Sequence, residues 1–382
     1  MTIPANLSFL ADGASSTGVL GVANGGTGTT TSTGSGSNVL STSPTLVTPT
    51  LGAATITSVN GGQLAGMRNL IINGGMQTYQ RGSIVATTSG AYTLDRWFVT
   101  PTGASVTVTQ STSSPPTGFS AYLNVAGAAS VTNCTIYQRI ESVNCLNLTN
   151  GSTVTVSGYI YQSTGSSVST ATISLYAATS QDSTYTTLAA TAYTIPSIAT
   201  GTWTKFSNTF TLTSACTNGV EVLLTLGASL TTGILGLTGV QLEAGSQATP
   251  FEWRSYGVEL DLCLRYYEMV PSMAYRNSNG TVKSGNSIVG NMVGILASPV
   301  STGTAYAGYG LTYLKSKRAA PTMTFSTRAT SYTNSVETYG GLSTYTTLDT
   351  TTSSFNIYTA QAYSPGSGQS YVYFGYEASA EL

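Results

Sequence analysis

The stretch Ser152–Gln162, STVTVSGYIYQ, alternates with a period of two, and that period marks a pleated strand rather than a helix. Tyr159 and Tyr161 fall together on one of its faces. Runs of the same kind recur on either side, at ASVTVTQ (Ala104–Gln110), FSAYLNVAG (Phe119–Gly127), CTIYQRIES (Cys134–Ser142), ATISLYAAT (Ala171–Thr179), TKFSNTFTLT (Thr204–Thr213) and VEVLLTLGA (Val220–Ala228). Short alternating runs separated by turn residues are the pattern of an antiparallel sandwich, so the chain is expected to be all-β.

Composition agrees. Of 382 residues only 7% are charged against 41% hydrophobic, far below the roughly 25% charge of an ordinary soluble domain. Hydroxyls, amides and 24 tyrosines fill the difference, and they suit strands and turns better than helices. A net charge of −1 without a basic run leaves no electrostatic footprint for nucleic acid. No apolar run reaches the length of about 20 residues that a membrane span needs. The beginning, MTIPANLSFLADG, lacks the basic region and long apolar core of a secretory signal. Neither nucleic acid nor membrane insertion is expected, and synthesis and assembly are expected in a cytoplasm.

Four regions follow from shifts in composition. Residues 1–66 are Gly-, Thr- and Ser-rich, with the near-repeat SPTLV and TPTLG at 43–52. Such a segment buries too little apolar surface to order alone, so it is expected to be a stalk ordered by identical copies, which makes the protein a homotrimer. Charge, amides and aromatics arrive with MRNLIINGGMQTYQRG (Met67–Gly82) and YTLDRWFVT (Tyr92–Thr100), opening an antiparallel sandwich over 67–255. YGVELDLCLRYYE (Tyr256–Glu268) reads as a helical linker, with Val258, Leu262 and Tyr266 on one stripe and Glu259, Cys263 and Tyr267 beside it. Alternation returns over 269–382 as a second sandwich, the tip. Cys134, Cys145, Cys216 and Cys263 lack a C-x-x-C pair and read as buried free thiols, with a Cys134–Cys145 bridge as the alternative.

Histidine is absent, which removes imidazole bases and histidine metal ligands. The glycines at 25–36 do not lie between a strand and a helix, so they are backbone rather than a phosphate loop. Paired carboxylates remain open to a glycanase. The densest group, Glu252, Glu259 and Asp261, lies around a predicted helix start, where carboxylates suit the dipole without catalysis. Asp95, beside Arg96 and Trp97, reads as a turn and ion-pair residue. No catalytic residue, metal or cofactor is expected. Trp97 and Trp203 read as core, while Tyr159, Tyr161 and Tyr79 are the candidate ligand-binding residues, able to stack on sugar rings. The tip tyrosines 306, 309, 313, 339, 345, 363, 371 and 373 give amphipathic contact surface suited to adhesion or to a trimer core.

GVANGGTGTTT followed by GSNVLSTSPTLVTPTLG resembles the amino-terminal segments of bacteriophage fibre proteins. NLIINGGMQTYQRG, YTLDRW, YQRIESV and GVQLEAGSQATPFEWRSYGVELDLCLRYYE are similar to the jelly-roll module of phage tail fibres, and FGYEASAEL resembles the end of their tip domain. The resemblance implies a homotrimeric structural fibre of a virion, assembled in the host bacterial cytoplasm. Its amino-terminal part would be held by other virion structural proteins, and its carboxyl-terminal domains would meet a host cell-surface glycan or protein. A capsid or tail decoration with an assembly role and a glycan depolymerase are the alternatives. It also implies kinship with jelly-roll carbohydrate-binding modules, whose calcium site often uses a Glu after NGGF; here those positions read Met76 and Gln77.

Overall fold

The structure is a computed structural model, and the description covers residues 66–230, 232–270, 304–326, 335–338, 341–362, 372–373 and 375–382. Most of the expected stalk, residues 1–65, lies outside the described residues.

Two antiparallel sheets form the central part. One is six-stranded, in the order β1 (Ile84–Ala86), β4 (Val106–Ser111), β5 (Tyr122–Ala126), β13 (Ile234–Ala244), β7 (Thr153–Gln162) and β11 (Thr204–Thr211). The other runs β10 (Tyr193–Thr194), β8 (Ser167–Ser180), β12 (Gly219–Ser229), β6 (Asn133–Glu141), β3 (Phe98–Thr102) and β2 (Ala91–Tyr92), with β9 (Ser183–Leu188) added to β8. Alternation puts Val154, Val156, Ile160, Phe206, Leu235 and Leu237 of the first sheet against Val99, Ile136, Ile173, Leu175, Val222 and Leu224 of the second, in one continuous buried cluster. Each such side chain contributes about 1.5–3 kcal/mol on burial. Trp97 is core as expected, 2% exposed, with its indole N–H donated to the Asn73 carbonyl at 3.0 Å.

The segment Asn69–Gln80 enters this sandwich without forming a strand, and side-chain amides replace the missing ladder. Asn69 Oδ1 accepts from the Ile71 and Leu242 amides at 3.0 and 3.1 Å. Gln138 takes the Ile72 N–H and donates to the Ile72 carbonyl, both at 2.8 Å. Asn73, at φ 57°, bridges the Thr78 amide and the Thr78 and Asp95 carbonyls. Burying this much backbone is tolerable only because its polar groups are partnered in this way.

Helix α1 (Tyr256–Leu264) is shorter than the expected 256–268, because Tyr267 and Glu268 already belong to strand β14 (Tyr267–Val270). Of the stripe Val258, Leu262 and Tyr266, Tyr266 is buried and Leu262 packs beside it. Glu259 and Cys263 face inward while Val258 stays 45% exposed, since Arg254 and the Asn73 amide hold the Glu259 carboxylate inside. All four cysteines are free and buried; burial pushes the Cys134 and Cys145 thiols up to about 12.

In the tip, β14 pairs with β21 (Gly375–Ser379), which pairs with β16 (Thr322–Ser326). A second sheet runs β15 (Thr304–Thr312), β19 (Ser354–Ala362), β18 (Gly341–Thr350), β17 (Ser335–Thr338) and β20 (Val372–Tyr373). The two sheets meet at Phe325, Phe355 and Tyr376, and Tyr313 is buried there rather than displayed. Lys317 and Glu268 form a fully buried ion pair at 2.7 Å, with the Tyr376 hydroxyl donated to the same carboxylate.

The tip is tied to the central sandwich through Glu381, which takes both Arg81, at 3.0 Å, and Arg96. Those guanidiniums also lie over the rings of Tyr267 and Tyr266, 3.6 and 3.5 Å from the centroids. Tyr92 and Arg139 donate to the Leu382 carbonyl. Among the described residues no helix is long and apolar enough to cross a membrane. Removing one partner of a buried ion pair strands the other charge, at a cost of about 3–5 kcal/mol. Glu381→Ala is therefore expected to lower stability in urea titration by about that amount, and an unchanged midpoint would show that the clasp contributes nothing.

Candidate functional site

The solvent face of the six-stranded sheet is shaped by two glycines in β13. Gly236 pairs with Asn124 on one side and Tyr161 on the other. A Cβ at this position would stand 2.8 Å from Trp203 Cη2 and 3.2 Å from Tyr122 Cδ2 and Tyr161 Cβ. The bare backbone is thus the floor on which three rings gather: Trp203 lies 5.1 Å from Tyr122 and 5.3 Å from Tyr161, centroid to centroid. Three residues on, Gly239 at φ +64° sits at a register shift in the β13–β7 ladder and underlies a second group. Its missing Cβ makes room for Phe119 and Tyr159, whose rings are 5.4 Å apart. Phe119 continues to Phe251 at 5.1 Å and Trp253 at 5.0 Å.

The rings therefore form two groups, Trp203 with Tyr122 and Tyr161, and Phe119 with Tyr159, Phe251 and Trp253. Tyr159 and Tyr161 share the solvent face, as the alternation predicts, but belong to different ring groups. Tyr79 packs against the core cluster and, among the described residues, shares no ring contact with them. Trp203 corrects its expectation: it is half-buried on the outer face, its indole N–H donated to the Ser114 carbonyl at 3.0 Å. Sequence reasoning missed Phe119, Tyr122, Trp203, Phe251 and Trp253 as members of this surface. The available signal was the pair of glycines in GILGLTGVQLEA (Gly233–Ala244), which weaken a strand unless something must approach its backbone closely.

Next to the second group, Gly74 and Gly75 form the floor of a small pocket with Asn69, Phe251, Glu252 and Trp253. Its carboxylates are structural. Glu252 accepts the Arg68 and Asn69 amides at 3.0 and 2.9 Å, and Arg254 bridges Glu252 and Glu259. Asp261 pairs with Lys315. Asp95 lies in its expected turn, but its carboxylate is held by the amide and side chain of Gln80, at 2.7 and 2.6 Å, rather than by a direct ion pair. The calcium site implied by the resemblance does not fit these residues. Met76 is fully buried, the Gln77 carbonyl is taken by Gln110, and among the described residues no group of three or more candidate ligands gathers.

With this geometry in view, residues 68–231 match a family described as a carbohydrate binding domain. The match spans less than half of the chain, in the part that folds as the β-sandwich. No curated protein matches the chain. Among solved structures, the chain is similar to the enzymatically active domain of a tailspike protein of bacteriophage CBA120, at 16% identity and a TM-score of 0.31, covering 46% of this chain but only 21% of that one. It is similar to a module solved with β-1,4-galactotriose, at 12% identity and a TM-score of 0.31, covering 46% and 99%. A xylan-binding domain from Paenibacillus barcinonensis matches at 13% identity and a TM-score of 0.30, covering 50% and 100%.

Two outcomes are expected. In Gly236→Ala the new methyl displaces Trp203, so acrylamide quenching of Trp203 rises in a Trp253→Phe background, and overpacking lowers stability by about 1–3 kcal/mol; unchanged quenching would contradict the floor role. For Glu252, burial alone would raise the carboxyl, but the Asn69 and Arg68 amides and the Arg254 guanidinium outweigh it and hold it below the usual range. A depressed folded value stabilises fully above the unfolded value of about 4.3 and is lost as pH falls through the folded one. Glu252→Gln is expected to flatten that acid loss of stability, read as thermal midpoint against pH.

Proposed function

We propose that this chain is a bacteriophage tail-fibre protein, a non-enzymatic homotrimer of the virion that attaches to host-surface glycan. The central sandwich holds the sugar on the ring-lined face of its six-stranded sheet. The carboxyl-terminal tip adds contact surface, and residues 1–66 form the stalk that joins other virion proteins. The observation that carries the glycan role is the pair of half-buried ring groups, Trp203 with Tyr161 and Tyr159 with Phe119, on one face of a sheet most of whose strands lie in the stretch that matches the carbohydrate binding domain family. Flat rings fixed by glycine floors offer apolar area to a sugar ring at little entropic cost. Three copies on one fibre would convert weak contacts into firm attachment through effective concentration. The fibre role rests on the sequence resemblance.

The test is titration of the full chain against a panel of bacterial surface polysaccharides, beside Trp203→Ala. Truncating an anchoring aromatic costs about 2 kcal/mol, or about thirtyfold in affinity. A variant that melts like the parent and binds about thirtyfold more weakly is the expected result. Undiminished binding would remove this face from the function.

A further inference from the structure

Lys205 lies on β11 two residues after Trp203, which immediately precedes the strand, and the period of two puts Lys205 on the sheet's outer face, opposite the inward Phe206. The cross-strand partner of Lys205 is Tyr159, in a row with Thr238. Facing pairs of this kind hold their Cβ atoms about 4.5–5.5 Å apart, so the lysine side chain is rooted beside Tyr159 on the ring-lined face. Lys205 is exposed. In this charge-poor chain the other described lysines have carboxylate partners, Lys315 with Asp261 and Lys317 with Glu268. Lys205 has none among the described residues. The carboxylate nearest to it along β13 is Glu243, which is 2% exposed and engaged by Thr249 and Gln241.

A cation left without a partner beside a ring platform selects for charge. We propose that the glycan held on this face is acidic, and that Lys205 takes its carboxylate or phosphate while the sugar ring rests against Tyr159 and Trp203. This rests on the reading of the face as a glycan site. β11 is an edge strand, and lysines on edges also deter strand pairing between molecules; the two roles give different binding results.

The experiment takes from the polysaccharide panel the ligand that the full chain binds most tightly and that depends on Trp203. It compares that ligand with its carboxyl-reduced and its dephosphorylated forms, for the parent, Lys205→Gln and Lys205→Arg. One of the two treatments is expected to weaken parental binding about fivefold, the size of a single partly exposed charge contact. Lys205→Gln should show the same loss, respond no further to that treatment and depend less on salt, and Lys205→Arg should retain binding. Whichever treatment acts identifies the anion as carboxylate or phosphate. A neutral polysaccharide as the tightest ligand, or unchanged affinity in Lys205→Gln, would overturn the proposal and leave lysine as an edge guard. Absence of any ligand that depends on Trp203 would instead defeat the glycan face itself.

Discussion

Strand β13 has to satisfy two surfaces at once, and the rest of the central domain follows from how it does so. Inward, Leu235, Leu237, Val240 and Leu242 join the core between the sheets. Outward, Gly236 and Gly239 present bare backbone, so aromatic rings approach as closely as van der Waals contact allows. Beyond the reach of β5, its backbone is met by the irregular segment that begins at Asn69, through Leu70 N–H to the Leu242 carbonyl at 2.9 Å and Val240 N–H to the Gly74 carbonyl at 3.1 Å. One strand thereby closes the core, sets the ring floor and anchors the entry of the chain.

Eight of the described charged residues fix that arrangement and the tip against it. Arg254 ties Glu252 and Glu259 to the entry segment, Arg265 pairs with Glu141, and Arg81 and Arg96 receive Glu381. Buried pairs of this kind add modest net stability, yet losing one partner is costly, so they favour a single geometry. The motifs QRG, DRW, RYY and the final Glu-Leu, far apart in sequence, come together in this clasp. Such a junction would hold the ring-lined face and the tip in constant relation.

The β-class, the strand runs and the burial of Trp97 were legible because period two and β-branched residues report directly on a pleated, half-buried surface. The shared face of Tyr159 and Tyr161 was legible for the same reason. What escaped depends on distant partners. The inward turn of Glu259 was not legible in the helix period, because Arg254 and Asn73 draw this polar residue inside. Trp203 passed for core because tryptophan usually is; only a glycine two strands away, Gly236 on β13, shows that its ring rests on an outer surface. The tip's Tyr313 went the other way, buried among Met323 and Phe355 instead of displayed.

The ring-lined face as the glycan site is tested most directly by hydrogen-exchange mapping of the full chain with and without a bound surface polysaccharide. Protection gathered at Phe119–Asn124, Tyr159–Tyr161, Trp203–Lys205 and Gly236–Gly239 is the result this account predicts. Protection confined to the opposite sheet, on β6, β12 and β8, would contradict it.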